Sequence, residues 1–304
     1  MLDLNALTLP ELFAAMTGDG SLERLLLAAR EEDLGAAGDV TTRSLAGPEQ
    51  QSTAMVVARE EGVACGIAAI GAVIEVFGAA ARFDAARQDG DAVSAAEILG
   101  SLSGSWEGIL GVERTMLNLV GRLSGVATLT RRFVEAVSGT PAVICETRKT
   151  TLGLRKLEKY AVRCGGGTLH RLGLHDAVLY KDNHLAHIAS DRLREVLTGA
   201  IRRARAERDL RFVEVEVDDL EQLSEVLGIE EGLVDMVLLD NMPPSRLREA
   251  VAIRNAEAPD VLMEASGGVT LETVREIAKT GVDRISVGAL TRAARSLDIG
   301  LDVA

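Results

Sequence analysis

The residues best suited to chemistry are five basic side chains in the middle of the chain. They fall within residues 146–184, which contain eight Lys or Arg, four Asp or Glu and three of the four histidines. The whole chain has a formal net charge of -13, so this concentration of cations runs against its composition. Arginine offers a planar fork for carboxylate or phosphate, and lysine acts as a compact charge. The pattern predicts a pocket for a ligand with several anionic groups, although a surface salt bridge is the alternative for any single one. The five are Arg148, Lys149, His170, Arg171 and Lys181.

Carboxylates form a second candidate set. Glu214 and Glu216 alternate in the run VEVEV and therefore point to the same face of a strand. Acidic side chains that point into the interior lose their hydration, which is unfavourable unless they contact cations or a metal. Glu216 and Asp240 end neighbouring strands, where they could meet Mg²⁺ or ribose hydroxyls. Pairing with Lys149 or Lys181 is the structural alternative.

Two glycine-containing turns are typical of phosphate sites. Gly267 and Gly268 follow a predicted strand, and a helix is expected to begin near Thr270, so backbone N–H groups and the helix dipole could hold a phosphate. Gly288 and Ala289, after the last strand, would supply further N–H groups. Barrels often bind phosphate in their last two loops. Two ordinary tight turns are the alternative.

The elements that must position these residues alternate between strands and helices. Near-continuous apolar strands separated by amphipathic helices indicate a parallel sheet, and six or seven such units favour a βα barrel. Polar, charged or glycine residues follow each strand, where barrels build their catalytic face. Residues 168–172 would supply a seventh strand. The six predicted strands are residues 143–146, 177–180, 212–217, 236–239, 261–265 and 284–287.

The first third of the chain predicts a separate mixed α/β domain of the sandwich type. Its strands are expected at residues 52–59, 82–87 and 97–103, and its long helical pattern at 106–137 is expected to break at Ser124 and Gly125. We therefore place this domain at residues 1–125 and an incomplete barrel of six to seven parallel strands at 126–289. The tail, about residues 290–304, is expected to pack back on the first domain.

Composition narrows the class of protein. An acidic pI near 4.9 argues against a general nucleic-acid or membrane surface. Cys65, Cys145 and Cys164 show no zinc or redox spacing, so reduced core thiols are expected. The first residues lack the features of a secretory signal, and a cytoplasmic location is expected. No nucleophile elbow of the GxSxG kind is present.

Several long motifs resemble one family. The strings TRKTTLGLRKLEKYAVRCGGGTLHRLGLHDAVLYKDNHL, VEVEVDDL, VLLDN, EASGGVT and ISVGALT are similar, in this order, to quinolinate phosphoribosyltransferases. The strings EDLGAAGDVTT at residues 32–42 and ERTMLNLVGRLSG at 113–125 extend the resemblance over nearly the whole chain. It implies a transferase of NAD biosynthesis that converts quinolinate and phosphoribosyl pyrophosphate to nicotinate mononucleotide, CO2 and pyrophosphate with Mg²⁺.

The resemblance also implies a role for each candidate residue. The catalytic group is Lys149, Lys181, Glu216 and Asp240. Quinolinate would be bound by Arg114, Thr147, Arg148, His170, Arg171 and Lys181. Phosphoribosyl pyrophosphate would be bound by Lys149, Glu216, Asp240, Ser266, Gly267, Gly268, Val287, Gly288 and Ala289. Glu216 and Asp240 would meet Mg²⁺, directly or through water. A homodimer is implied in which the partner's Arg114 completes each site.

Two other functions are compatible with these motifs. One is a related transferase of the same fold that acts on another substrate. The pair of Arg148 and Arg171, together with the run Lys181, Asp182 and Asn183, argues against it. The other is a non-catalytic protein that binds pyridine carboxylates. Turnover of nicotinate but not quinolinate would indicate the first, and quinolinate binding without turnover would indicate the second.

Overall fold

Two large sheets of different kinds organise the chain, one antiparallel and the other parallel, and a third sheet has only two short strands. The structure is a computed structural model that describes residues 2–45, 50–189 and 192–303. The chain forms two units, each described separately below. The sheet unit comprises Ala6–Arg131, Thr151–Gly166 and Ala293–Ala304, and the barrel unit comprises Met1–Asn5, Arg132–Thr150 and Gly167–Arg292.

The sheet unit contains the elements from the first half of the chain and the last strand. Its helices are α1 (Leu9–Thr17), α2 (Ser21–Leu34), α3 (Val40–Leu45), α4 (Ile70–Phe77), α5 (Trp106–Ala136) and α6 (Arg155–Cys164), with a 3-10 turn at Ile67–Ala69. Its strands are β1 (Gln51–Ala58), β2 (Gly62–Val63), β3 (Ala81–Ala85), β4 (Ala92–Val93), β5 (Ile98–Ser105) and β12 (Ile299–Val303).

The main sheet of this unit has the order β12-β1-β5-β3, with antiparallel neighbours. The C-terminal strand β12 pairs with β1, so that Ala54 lies opposite Val303 and Ala58 opposite Ile299. Ala54, Val56 and Ala58 are completely buried. They alternate along β1, as a strand with one face on a core requires.

Helix α5 corrects one expectation, because it runs unbroken through Ser124 and Gly125. The Ser124 hydroxyl accepts a hydrogen bond from the Cys65 N–H at 2.9 Å and donates to the Cys65 carbonyl at 3.1 Å. A Cβ at position 125 would overlap the Arg295 carbonyl. Small residues occur here because another segment packs closely against the helix, and not because the helix ends.

The barrel unit contains six strands and six helices among the residues that the structure describes. The strands are β6 (Val143–Cys145), β7 (Val178–Tyr180), β8 (Val213–Val217), β9 (Met236–Asp240), β10 (Leu262–Ser266) and β11 (Arg284–Ser286). The helices are α7 (Asp182–Leu185), α8 (Leu193–Glu207), α9 (Leu220–Leu227), α10 (Pro244–Glu257), α11 (Val274–Ala278) and α12 (Ala289–Arg292).

The barrel strands are all parallel, in the order β6-β11-β10-β9-β8-β7. The expected seventh strand is reduced to one bridge between Thr168 and Cys145. Two backbone N–H groups of this segment donate to side chains and not to a neighbouring strand. The Leu169 N–H donates to Asn5 Oδ1 at 2.7 Å, and the Leu172 N–H donates to Asp176 Oδ2 at 2.8 Å. The predicted fold class, a mixed α/β domain followed by an incomplete barrel, is confirmed with six strands.

Alternation along the barrel strands decides which side chains reach the interior. Glu216 of β8, Leu238 of β9, Glu264 of β10 and Ser286 of β11 all line the interior cavity. Their odd-numbered neighbours in these strands are apolar and buried. This separation predicts a polar interior surrounded by an apolar layer.

Two further observations concern the cysteines and the apolar character of the helices. Cys65, Cys145 and Cys164 are buried free thiols, as predicted. Among the described residues, no helix is both long and apolar enough to cross a membrane.

Candidate active site

One cavity of the barrel unit collects most of the predicted site residues at the carboxyl ends of the strands. Its volume is about 560 Å³, within the range of small-molecule sites. It is lined by Thr147, Arg148, Lys149, His170, Arg171, Leu179, Lys181, Glu216, Leu238, Asp240, Asn241, Glu264, Ser266, Gly267, Gly268 and Ser286.

Arg148 and Arg171 form a pair of like charges in this cavity. Burial and the neighbouring Arg148 guanidinium lower the pKa of Arg171. Within the described residues neither side chain has a carboxylate at ion-pair distance, and the buried Nε of Arg148 has no hydrogen-bond partner. Arg171 is 6% exposed. Two neighbouring guanidinium groups with no described carboxylate at ion-pair distance are well placed to bind an anionic ligand.

The two lysines of the cavity differ in their contacts. Lys181 Nζ forms a close ion pair with Glu216 Oε2, which is the structural pairing that the sequence left open. Lys149 is exposed, but its backbone is held, because its N–H donates to Thr147 Oγ1 at 3.1 Å and its carbonyl accepts from Thr291 Oγ1 at 2.7 Å. Lys149 therefore offers a charge on a fixed loop.

His170 lines the cavity with both of its ring nitrogens engaged. Nδ1 accepts a hydrogen bond from the Arg171 backbone N–H at 2.7 Å. Nε2 lies 3.1 Å from Glu214 Oε2 and 3.4 Å from Glu264 Oε1. The ring also packs edge-on against Phe212, with centroids 5.3 Å apart. A direct hydrogen bond to a substrate carboxylate would require the ring to give up one of these polar contacts.

Glu264 joins His170 to Arg284, whose Nε lies 2.9 Å from Glu264 Oε2. We call His170, Glu214, Glu264 and Arg284 the His170 network. Burial raises the pKa of Glu264, but His170 and Arg284 outweigh burial and hold this pKa well below its usual range. Burial and the Glu264 charge raise the pKa of Glu214.

The His170 network also retains a proton. Burial alone lowers the pKa of His170, but Glu264 and Glu214 outweigh burial and raise this pKa to about 9. Arg284 and this proton balance the two carboxylates. The His170 network therefore carries little net charge, so it does not repel an anion bound in the cavity.

Asp240 and the β10 turn face the cavity from neighbouring strands, with Asp240 beside Ser266 in register. Gly267 and Gly268 have φ of 96° and 60°, so both occupy the left-handed region that favours glycine. The helix expected near Thr270 begins only at Val274 and has five residues. A turn comes first, in which the Thr270 N–H donates to Thr273 Oγ1 at 3.0 Å. A phosphate bound here would contact the backbone amides of this turn and not the N-terminus of a long helix.

The second predicted phosphate turn lies outside the cavity lining, since the residues described there do not include Val287, Gly288 or Ala289. The Val287 N–H is already used, donating to the Cys145 carbonyl at 2.9 Å. Gly288 lies against the Lys149 side chain, because a Cβ there would be 3.3 Å from its Cδ. This turn supports Lys149.

Arg114 belongs to the sheet unit, on α5. Its side chain is 64% exposed, and its nearest carboxylate is Glu113 at 3.7 Å. It borders a cavity of about 260 Å³ within that unit, which Leu25, Leu26 and Leu119 also line. The barrel cavity thus gathers the predicted cations and acids, while Arg114 remains on a separate unit.

Two sets of residues could be considered for a metal. His170, Glu214 and Glu264 place one ligand atom each within 4.8 Å of one another, but Arg284 and the proton that the network retains already balance these carboxylates. Glu216 and Asp240 offer oxygen donors at the cavity. Mg²⁺ is usually bound through one or two carboxylates together with substrate phosphates and water, so the second set fits magnesium.

Glu264 and Ser286 are cavity residues that sequence reasoning missed. Glu264 lies two positions before Ser266 in one strand, and a charged side chain there was the available signal, because alternation places both on one face. Ser286 Oγ is buried and has no hydrogen-bond partner among the described residues. Nothing in its local sequence distinguishes it from an ordinary strand serine.

Two family models match consecutive parts of the chain. The model for the N-terminal domain of quinolinate phosphoribosyl transferase matches residues 39–124, and that for the C-terminal domain matches residues 126–302. The resemblance inferred from the motifs is thereby confirmed.

Individual relatives agree with these models. Nicotinate-nucleotide pyrophosphorylase (carboxylating) of Mycobacterium leprae is 45% identical over 277 residues, which cover 90% of this chain and 94% of that protein. The structure of nicotinate-nucleotide pyrophosphorylase from Francisella tularensis superimposes with a TM-score of 0.84 at 34% identity over 100% of both chains. The corresponding Ehrlichia chaffeensis structure gives a TM-score of 0.82 at 39% identity, covering 93% of this chain and 98% of that one.

Proposed function

Since this chain belongs to the quinolinate phosphoribosyltransferase family, we propose that the barrel cavity is its active site. The chain is an enzyme of the glycosyltransferase type in NAD biosynthesis. It converts quinolinate and phosphoribosyl pyrophosphate to nicotinate mononucleotide, CO2 and pyrophosphate. The observation that carries the site assignment is the pair of Arg148 and Arg171, two arginines in one cavity without a protein carboxylate at ion-pair distance among the described residues.

The arginine pair suits a dicarboxylate. Quinolinate carries two adjacent carboxylates, and each can accept paired hydrogen bonds from a guanidinium. A monocarboxylate such as nicotinate would leave one arginine buried beside the other without an anion, which is unfavourable. Thr147 and His170 complete this side of the cavity. His170 contributes the surface of its ring, and the His170 network behind the ring carries little net charge.

The opposite side of the cavity suits the phosphoribosyl substrate. Lys149 and Lys181 can bind its pyrophosphate, while Glu216 and Asp240 can stabilise positive charge on the ribose as the bond to pyrophosphate breaks. The pyridine nitrogen then bonds to C1 of the ribose. The cationic ring accepts the electron pair released when the adjacent carboxylate leaves as CO2, and the ring carbon is finally protonated. No protein nucleophile is needed.

Phosphate positions follow from the two turns. Ser266, Gly267 and Gly268 line the cavity and are proposed to hold the 5-phosphate through backbone amides. For Val287, Gly288 and Ala289 the support is indirect, since Gly288 contacts the Lys149 side chain. Their proposed part is to position Lys149 next to the phosphates.

Magnesium is proposed as the cofactor. Glu216 and Asp240, directly or through water, would hold it together with the pyrophosphate of the substrate. Bound there, the ion would neutralise charge that develops on the leaving pyrophosphate. Lys181 already pairs with Glu216, so the lysine would exchange part of this contact for the pyrophosphate.

Assembly and location extend this proposal. We infer a homodimer in which the partner's Arg114 completes each quinolinate pocket. The guanidinium is exposed, and its ion-pair partner among the described residues is Glu113 at 3.7 Å, which supports this role. A cytoplasmic location stays a prediction from the sequence.

A direct assay tests the function. The purified protein is mixed with quinolinate, phosphoribosyl pyrophosphate and Mg²⁺, and CO2 and nicotinate mononucleotide are followed. Parallel reactions replace quinolinate with nicotinate. Product from quinolinate alone is expected. Product from nicotinate alone would assign the chain to a different substrate, and calorimetric binding of quinolinate without turnover would make it a binding protein.

A further inference from the structure

Asn241, directly after strand β9, has an unusual backbone conformation. Its φ is 52°, and Ala96 is the other non-glycine residue with positive φ in the described ranges. Asparagine adopts this region more readily than most residues, although glycine does so with less strain. Glycine would therefore adopt this backbone conformation at least as readily as asparagine does.

The Asn241 side chain contacts Asp240, the acid proposed to act on the ribose. Asn241 Nδ2 donates a hydrogen bond of 2.6 Å to Asp240 Oδ2. Within the described chain no lysine or arginine forms an ion pair with Asp240, whereas Glu216 is paired with Lys181. The amide of Asn241 is therefore the group that orients this carboxylate, and it leaves Oδ1 for a ligand.

The end of the neighbouring strand β10 and the glycine that follows it pack closely against Asn241. The Asn241 N–H donates to the Ser266 carbonyl at 2.9 Å, which connects the ends of β9 and β10. A Cβ on Gly267 would overlap the Asn241 side-chain amide and would lie 2.9 Å from its backbone nitrogen. Gly267 thus leaves room for the asparagine side chain, which a purely backbone role would not require.

We propose that Asn241 is a positioning residue that orients the Asp240 carboxylate toward the phosphoribosyl substrate. The inference rests on the role proposed for Asp240. A carboxylate fixed by one amide at a single oxygen loses less freedom when its second oxygen binds a ribose hydroxyl. It also stays aligned as positive charge develops on the sugar.

The substitution Asn241→Gly separates the two explanations of this residue. Glycine keeps the left-handed backbone and removes the amide, so the melting temperature should be unchanged or higher. If the amide positions Asp240, kcat/KM for phosphoribosyl pyrophosphate should fall about ten- to a hundredfold, the effect of losing a hydrogen bond to a charged group. The KM for quinolinate should stay near the wild-type value.

Further variants make the result decisive. Asn241→Asp keeps the size of the side chain but removes the donor and adds a negative charge beside Asp240, so it should lose at least as much activity without added loop flexibility. Ala96→Gly relieves the other strained position, in the sheet unit, and should raise stability without changing activity. Adding Asn241→Gly to Asp240→Asn should cause little loss beyond that of Asp240→Asn, because both act through one carboxylate.

Two outcomes would overturn the inference in distinguishable ways. If Asp240→Asn is impaired but Asn241→Gly or Asn241→Asp retains the wild-type kcat/KM, the asparagine serves only the backbone. If Asp240→Asn itself is fully active, the role proposed for Asp240 fails and the inference fails with it.

Discussion

The Thr291 hydroxyl donates a hydrogen bond of 2.7 Å to the backbone carbonyl of Lys149, 142 positions earlier in the chain. Thr291 is 1% exposed and lies on α12, directly after the last barrel strand. In the same turn, Gly288 borders the Lys149 side chain. The loop after the last strand therefore supports the loop after the first strand and the lysine that it carries.

Thr291→Val should lower kcat/KM for phosphoribosyl pyrophosphate about tenfold, because it removes one buried hydrogen bond that fixes Lys149. The KM for quinolinate should change little. Steady-state kinetics with each substrate varied in turn measures both effects. Thr291→Ser retains the hydroxyl and should behave like the wild type. Equal losses in the two variants would show that packing, and not the hydrogen bond, is responsible.

Arg171→Lys should raise the KM for quinolinate by about tenfold or more, because lysine keeps the charge but cannot make the paired hydrogen bonds of a guanidinium. The KM for phosphoribosyl pyrophosphate should stay near the wild-type value. The control is Arg246→Lys, since Arg246 lies on the surface in an exposed pair with Glu249. An unchanged KM for quinolinate would remove Arg171 from the carboxylate site.

Glu264→Gln should lower the free energy of unfolding by roughly 3 kcal/mol, because it removes the carboxylate between two buried cationic partners. Glu264 is fully buried and contacts both His170 and Arg284. Urea unfolding at neutral pH measures the change. Glu276→Gln is the matched control, since its exposed pair with Lys279 should contribute little. Equal stability of the two variants would contradict the importance of the His170 network.

Asp176 should contribute stability that disappears in acid. It is 4% exposed and accepts hydrogen bonds from the Leu172 and Gly173 N–H groups at 2.8 and 3.0 Å. Burial raises the pKa of Asp176, but these donors and Arg211 outweigh burial and lower this pKa below its ordinary value of 3.8. A folded-state pKa below that of the unfolded chain stabilises the fold above pH 3.8, and the gain is lost as the pH falls through the folded value.

The substitution Asp176→Asn measures this contribution. The wild type should exceed the variant by about 2 kcal/mol in free energy of unfolding at pH 7, the scale of hydrogen bonds to a charged group. The difference should shrink as the pH falls below 4. A difference that is the same at pH 7 and pH 3 would show that ionisation of Asp176 is not its source.

Mixing two inactive variants tests the shared site. Arg114→Ala and Lys181→Ala should each be inactive alone, and mixing them should restore activity, because one site of the mixed dimer would contain both residues. Lys149→Ala mixed with Lys181→Ala is the control and should stay inactive, since each site would lack one lysine. Failure to complement after subunit exchange, shown with differently tagged chains, would contradict the shared site.

Prediction from sequence succeeded best for the barrel strands. All six predicted runs form strands near the expected residues, because at least one face of each strand is buried and keeps its residues apolar. Residues 168–172 have a similar local pattern but form only one bridge, since the donors of Leu169 and Leu172 go to the side chains of Asn5 and Asp176. These acceptors come from different parts of the chain, and a local pattern does not reveal them.

In α5 the small residues led to a wrong prediction of a different kind, namely a break where the helix in fact continues. Ser124 and Gly125 predict an interruption from local propensity, yet the helix continues because Cys65 and the carbonyl of Arg295 approach it there. A residue that weakens a helix in isolation can be required for tertiary packing. Contacts between segments so distant in sequence decide which of these effects prevails.

The sequence by itself determined the positions of the barrel strands along the chain, the family and the placement of Arg148, Lys149 and Lys181 after strand ends. These features follow from periodicity and residue type, which are local properties. Only the tertiary structure decided which groups neutralise one another. Lys181 pairs with Glu216, His170 with Glu214 and Glu264, and the two arginines lie beside each other with no carboxylate at ion-pair distance among the described residues. Coulomb energy and burial depend on distances across strands, and these distances exist only after the sheet has formed.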